Sequence, residues 1–356
     1  MAMNVKLKNN LFTGFANKHH VIFFIMGAYI WSWAFWISAN LEGLPPGLKL
    51  ALTFMGVFGP ALVGSFILRL RDGAPEARPR RWAGFLIGAG LAGSAIGMLY
   101  FDFFGINNLA PKPELVFPAE APWYVYGLLG AVILVSGFVF SNIQSRFATV
   151  RSFYAGLVPN KRTLLMAIPV LLFLPVVLIT SSALADILEI PYEQPEYLKQ
   201  SVGVWLPLMF VKLLTVAMLT GGNEEHGWRG VLLPLMQKSW SPLVATLVIA
   251  LVWEPWHLPL VFDGVYGEEN FALLLGVRLV AILPIAFIMT MLYNISRGSI
   301  FLCVLMHACF NTQIKLFIGS ELMGLAMILI VIVLLVILKM WRRGSGYTPP
   351  DLTKIP

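Results

Sequence analysis

Charge is what this chain has least of. Only 12% of its 356 residues are Asp, Glu, Lys or Arg, whereas a soluble domain carries about 25%. That shortage excludes an ordinary soluble globule of this length. Cysteine is scarce too. Cys303 and Cys309, the only two, fall six apart in one apolar stretch and so on different faces of a helix. This excludes a disulfide framework, and both read as small buried thiols. The sequence shows no internal repeat, and no His-Glu-x-x-His of the helical zinc peptidases occurs in it. The first apolar run follows only three lysines and has no small-residue cleavage site, so it is expected to persist as a helix and not to be removed as a signal peptide.

What the chain has is hydrocarbon. It is 58% hydrophobic, with a mean hydropathy of +0.79. About 20 apolar residues cross a bilayer. Ten runs approach that length: 21–40, 48–68, 83–101, 123–141, 163–185, 203–223, 242–262, 271–293, 300–317 and 321–341. The segments between them are too short for a separate globular domain. The expected fold is therefore all-α, a polytopic transmembrane bundle of about ten helices.

The few charges are unevenly placed. With the N-terminus inside, the inward segments collect Lys6, Lys8 and Lys18, then Arg69, Arg71, Arg78, Arg80 and Arg81, then Arg146, Arg151, Lys161 and Arg162. Arg229, Lys238, Arg297, Lys339, Arg342, Arg343 and Lys354 follow on the same side, against Lys49, Lys112, Lys199 and Lys315 on the other. This positive-inside pattern predicts both termini in the cytoplasm and the protein in a cell membrane. The net charge of +7 then reflects topology and contact with anionic lipid, and gives no reason to expect nucleic acid.

Against this background "GGNEEHGWRGVLLPLM", residues 221–236, is costly, because Glu224, Glu225 and Arg229 sit in membrane-grade sequence. A charge near the bilayer centre costs roughly 2.5–3.5 kcal/mol on insertion scales and usually faces a protein interior or watery cavity. The apolar flanks predict a helix that continues through the motif and turns only at "KSWSP", 238–242. Glu224 and His257 then lie equally far from that turn, about 24 Å at 1.5 Å per residue, so two antiparallel helices bring them face to face. Glu225 and Arg229, four apart, can pair along one helix. Pro255 and Pro259 should bend the helix that bears His257. Trp253 and His257 are four apart in "LVWEPWHLP", as are His307 and Asn311 in "HACFN", each pair on one helical face. Of five histidines, three (His226, His257, His307) fall in this half. His226 turns away from Glu225 by 100° of helix and reads as a structural or rim residue. Glu254 is open between a second acid and packing, and Lys212 and Arg278 read as cavity-lining or snorkelling charges.

These residues carry a resemblance. "EEHGWR" matches a Glu-Glu-x-x-x-Arg motif, "WEPWH" resembles an aromatic-x-x-x-His motif, and "HACFN" matches His-x-x-x-Asn, in the order found in the CPBP family. That family, also called Abi, holds the type II CAAX prenyl proteases and the bacteriocin-processing and bacteriocin-immunity intramembrane proteins. The resemblance covers about residues 200–320, and Trp253 stands where the family more often has phenylalanine. It divides the chain into N-terminal transmembrane helices (1–195), a protease core (196–320), and a last helix with a cytoplasmic tail (321–356). It implies an intramembrane endopeptidase acting on a membrane-embedded or prenylated peptide. Glu224 would be the general base, His257 would position or activate the water, and His307 and Asn311 would bind the oxyanion or substrate carbonyl. Glu225, Arg229 and Trp253 would support the site. No cofactor is firmly implied; Glu224, His257 and His307 could alternatively hold a zinc ion. Residue chemistry alone also admits a transporter, or a bacteriocin-immunity protein that binds without cleaving, built on the same buried polar set.

Overall fold

The computed structural model describes residues 19–72, 75–76, 82–100, 122–192, 201–262, 271–316 and 322–349. Several charges of the orientation pattern, among them Lys6, Lys8, Lys18, Arg78, Arg80, Arg81, Lys112 and Lys199, lie outside these residues. The described residues are mostly helical, with no strand among them, and form a polytopic bundle. Seven helical spans are long and apolar enough to cross a membrane, and three further apolar helices are shorter. Together they match the ten runs in order.

Helices α1 (His20–Ala39), α2 (Pro46–Val57), α3 (Gly59–Asp72), α4 (Ala83–Tyr100), α5 (Trp123–Ser141) and α6 (Ala148–Tyr154) come first. The run at 48–68 thus bends at Phe58, between α2 and α3. Tryptophan and serine side chains tie α1 to α2 through backbone carbonyls. Trp31 Nε1–H donates to Met55 O at 2.9 Å, Ser32 Oγ–H to Gly56 O at 2.7 Å and Trp36 Nε1–H to Thr53 O at 3.0 Å. In an apolar interior such donors need partners, and the neighbouring helix supplies them.

The long α7 (Lys161–Ile187) starts at a reciprocal cap: Thr163 N–H donates to Asn160 Oδ1, and Asn160 N–H to Thr163 Oγ1. Beyond it lie α8 (Val202–Leu219), α9 (Gly221–Gly227), a π-helical turn (Trp228–Leu232) and α10 (Leu233–Gln237). The remainder is α11 (Pro242–Trp256), α12 (Leu258–Phe262), α13 (Phe271–Ile295), α14 (Ile300–Leu316) and α15 (Leu322–Ile337).

The helix expected to run unbroken through the Glu-Glu motif is interrupted twice. At Thr220 the backbone leaves the helical region (φ −133°, ψ −129°), ending α8 just before Gly221 and Gly222. Asn223 Nδ2–H caps the broken end by bonding Met218 O. Eight residues later the ladder widens into the π turn, directly ahead of Pro234, which has no N–H to return to Gly230. Every residue from Gly221 to Gln237 is buried. Close packing explains how: a Cβ on Gly227 would collide with the backbone of Pro60, so only glycine lets α9 lie this close to α3. The core is continuous from α1 to α15, and the packing crosses the division drawn at residue 195.

Candidate active site

The site grows from α9 and the hairpin that follows it. After α10 the chain turns and Ser241 accepts from Val244 N–H at the start of α11. The antiparallel return sets Glu224 against α11, as the 33-residue spacing requires. Glu224 Oε2 lies 3.7 Å from His257 Nε2 and accepts the indole Nε1–H of Trp253 at 2.6 Å. Both Glu224 and His257 are less than a tenth exposed.

The prolines act at the far end of α11. His257 falls in a one-residue turn between α11 and α12. Its N–H bonds to Glu254 O at 3.0 Å, which leaves the carbonyl of Trp253, its usual helical partner, open. His257 Nδ1 takes that carbonyl at 3.0 Å. A carbonyl only accepts, so Nδ1 carries the proton and Nε2 presents its lone pair on the side of Glu224.

The second carboxylate has a different environment. Glu225 and Arg229 are both fully buried and bond through Oε1 and Nη1 at 3.0 Å. His307, brought over by α14, donates Nδ1–H to the same Oε1 at 2.8 Å. Its ring faces the backbone of Gly221, where any Cβ would overlap Nε2. Arg229 also lies over the Trp253 ring, 4.4 Å from its centroid, and His307 meets that ring edge-on at 5.5 Å. Trp253 thus touches Glu224, His257, His307 and Arg229. Asn311 stands one turn beyond His307 on α14 and is half-buried.

Some sequence expectations take a different form. His226 is no rim residue: it is fully buried, with rings of Phe140 and Tyr154 against it at 5.6 and 6.1 Å. Glu254 and Arg278 form an ion pair with each other, so Glu254 is engaged away from Glu224 and Arg278 has a partner. Cys303 and Cys309 are buried free thiols. Among the described residues no three of His, Cys, Asp and Glu come together as a metal-holding group. The ring of His307 has Nδ1 on Glu225 and Nε2 against Gly221, one helical turn before Glu224. Two contributors escaped the sequence reading. Gly221 was passed over as a helix residue, although a Gly-Gly pair before a charged motif is a signal of close approach. The other is α1, whose Trp33 reaches the backbone beside His257.

Such a set can hold and polarise a water. A carboxylate and an imidazole lone pair 3.7 Å apart are too distant to bond directly and close enough to share one water. A second histidine and an amide stand on the neighbouring helix. Residues 205–313 match the family described as Rce1-like, type II CAAX prenyl endopeptidase. The CAAX prenyl protease 2 of Methanococcus maripaludis is 28% identical over 202 residues, which cover 54% of this chain and 73% of the relative. The segment that holds all three motifs is thus similar to the type II CAAX prenyl endopeptidases.

Proposed function

We propose that this protein hydrolyses a peptide bond of a prenylated or otherwise membrane-associated polypeptide, with 196–320 as its catalytic segment. The observation that carries the reading is the 3.7 Å separation of Glu224 Oε2 and His257 Nε2. A water held by both can attack the scissile carbonyl while Glu224 takes its proton as general base. The water oxygen bonds to the carbonyl carbon, and the negative charge passes to the carbonyl oxygen. Asn311 offers an amide N–H to that oxyanion. His307, held at Nδ1 by Glu225, stands beside Asn311 as the second group offered to that oxyanion. Collapse of the tetrahedral adduct breaks the C–N bond, and Glu224 returns its proton to the leaving amine. No step is routed through a metal.

The relative's name supplies the substrate class, a CAAX-type prenylated C-terminus. The seven spans make it a multi-pass membrane protein, which we assign to the cell membrane with both termini cytoplasmic. The test compares membranes from cells expressing wild type and Glu224→Gln, with new protein termini mapped by mass spectrometry. Termini made by wild type and lost in a normally inserted variant support proteolysis and name the substrate. Identical termini in both sink it and turn the same buried set toward binding or transport.

A further inference from the structure

The residue that bears the candidate water-positioning imidazole sits at a backbone bend, and that bend is held from outside the motif-bearing segment. Leu260 N–H bonds to His257 O at 2.9 Å, so Trp256 O loses the donor a regular helix would bring it. Pro255 and Pro259 add no N–H of their own. In a membrane interior an open carbonyl is costly. The partner for Trp256 O comes from α1, which bonds two further carbonyls of the same stretch. Trp33 Nε1–H donates to Trp256 O at 2.9 Å, Asn40 Nδ2–H to Pro259 O at 2.7 Å, and Tyr29 O–H to Val252 O at 2.6 Å. Trp36, fully buried, lies nearly parallel to the His257 ring at 13° and 6.2 Å, and 4.4 Å from the Trp256 ring. Tyr29, Trp33 and Trp36 on α1 and Asn40, the residue that caps its C-terminus, are spaced four, three and four apart, along one face.

We infer that α1 is a positioning element of the active site: Tyr29, Trp33 and Asn40 clamp the 252–259 bend, and the clamped bend fixes His257 with Nδ1 on the Trp253 carbonyl and Nε2 toward Glu224. These side chains touch neither water nor substrate. They act through the backbone, and the inference rests on the proteolytic reading only for its rate readout.

The test uses the full chain in nanodiscs, as wild type and as the double variant Tyr29→Phe/Trp33→Phe, which keeps both rings and removes both donors. Cleavage is followed on a quenched, farnesylated peptide ending in Cys-Val-Ile-Met. The His257 ring is followed by NMR of 15N-histidine-labelled protein, with a His257→Gln spectrum to assign it. The expected result is a fall in kcat of about tenfold, since small misplacements of catalytic groups cost this much or more. KM should stay within about twofold, and the His257 Nδ1–H signal should shift or broaden. Ile30→Ala, on the outward face of α1, keeps the wild-type rate and spectrum. Unchanged kcat and an unchanged His257 signal would overturn the clamp, even if the variant melts earlier. Should wild type leave the peptide intact, the protease reading fails, and the ring signal alone still decides the clamp. If the double variant does not fold, Asn40→Leu is read in the same two ways.

Discussion

Trp253 donates its indole N–H to Glu224 while its own carbonyl receives Nδ1–H of His257. One residue therefore fixes both members of the pair that faces the proposed water. Hydrogen bonds to charged groups contribute about 1.5–3 kcal/mol. Trp253→Phe keeps an aromatic ring over Arg229 and removes only the donor. It should lower kcat by about tenfold, one unit of 1.4 kcal/mol, with the protein still monodisperse in detergent. Trp253→Ala also strips the face on which Arg229 rests and should lose considerably more. Equal rates for wild type and Trp253→Phe would mean that Glu224 is held without the indole.

The buried Arg229–Glu225–His307 chain makes a prediction about stability. Both ends of the ion pair are wholly inside the protein, and removing one partner of such a pair costs about 3–5 kcal/mol by leaving a buried charge uncompensated. Arg229→Leu should fall near that range in reversible unfolding. The double variant Arg229→Leu/Glu225→Gln should recover part of the loss, because no bare carboxylate remains. A double variant as unstable as the two single losses added together would contradict a direct pair.

How much of this was legible in the sequence depends on the kind of signal. The spacing from Glu224 to His257 predicted their meeting because antiparallel helices joined by a tight hairpin bring equidistant residues to one depth. The four-residue spacing of Glu225 and Arg229 predicted their pairing for a similarly local reason. The break at Thr220 and the π turn ahead of Pro234 were hidden, since hydropathy reads the same through a broken helix as through a whole one. The donors of α1 were hidden as well. Trp33 and Tyr29 look like apolar filling until tertiary packing aims their N–H and O–H at carbonyls more than 200 residues away. Glu254 illustrates the reverse limit: its position near His257 left its role open, and only the placement of α13 gave it Arg278.

Gly221 gives a sharp steric test. A single methyl there would enter the space of the His307 imidazole. Gly221→Ala should cut cleavage by about 10²-fold, the scale expected when a catalytic group is displaced by an ångström. Expression and insertion should be maintained. Gly276→Ala is the matched control, because nothing lies within 4 Å of its Cβ position. Replacing an exposed helical glycine should be neutral or stabilising by up to about 1 kcal/mol. If both substitutions leave the rate untouched, the His307 ring is not confined by α9.

Chelation separates the two hydrolytic chemistries that the sequence allowed. His257 has Nδ1 on the Trp253 carbonyl and His307 has Nδ1 on Glu225, so each keeps only Nε2 for any other partner. The His307 Nε2 lies against Gly221, whereas that of His257 faces Glu224. A three-ligand zinc set would need both imidazoles turned onto the same carboxylate at about 2 Å from one ion. The reading by Glu224 and His257 therefore predicts that prolonged dialysis against EDTA or 1,10-phenanthroline leaves kcat and thermal stability unchanged. A loss restored by added Zn2+ and not by Mg2+ would reassign Glu224 from proton acceptor to ligand. The same experiment on Glu225→Gln tells whether His307, once released from its carboxylate, is free to join such a set.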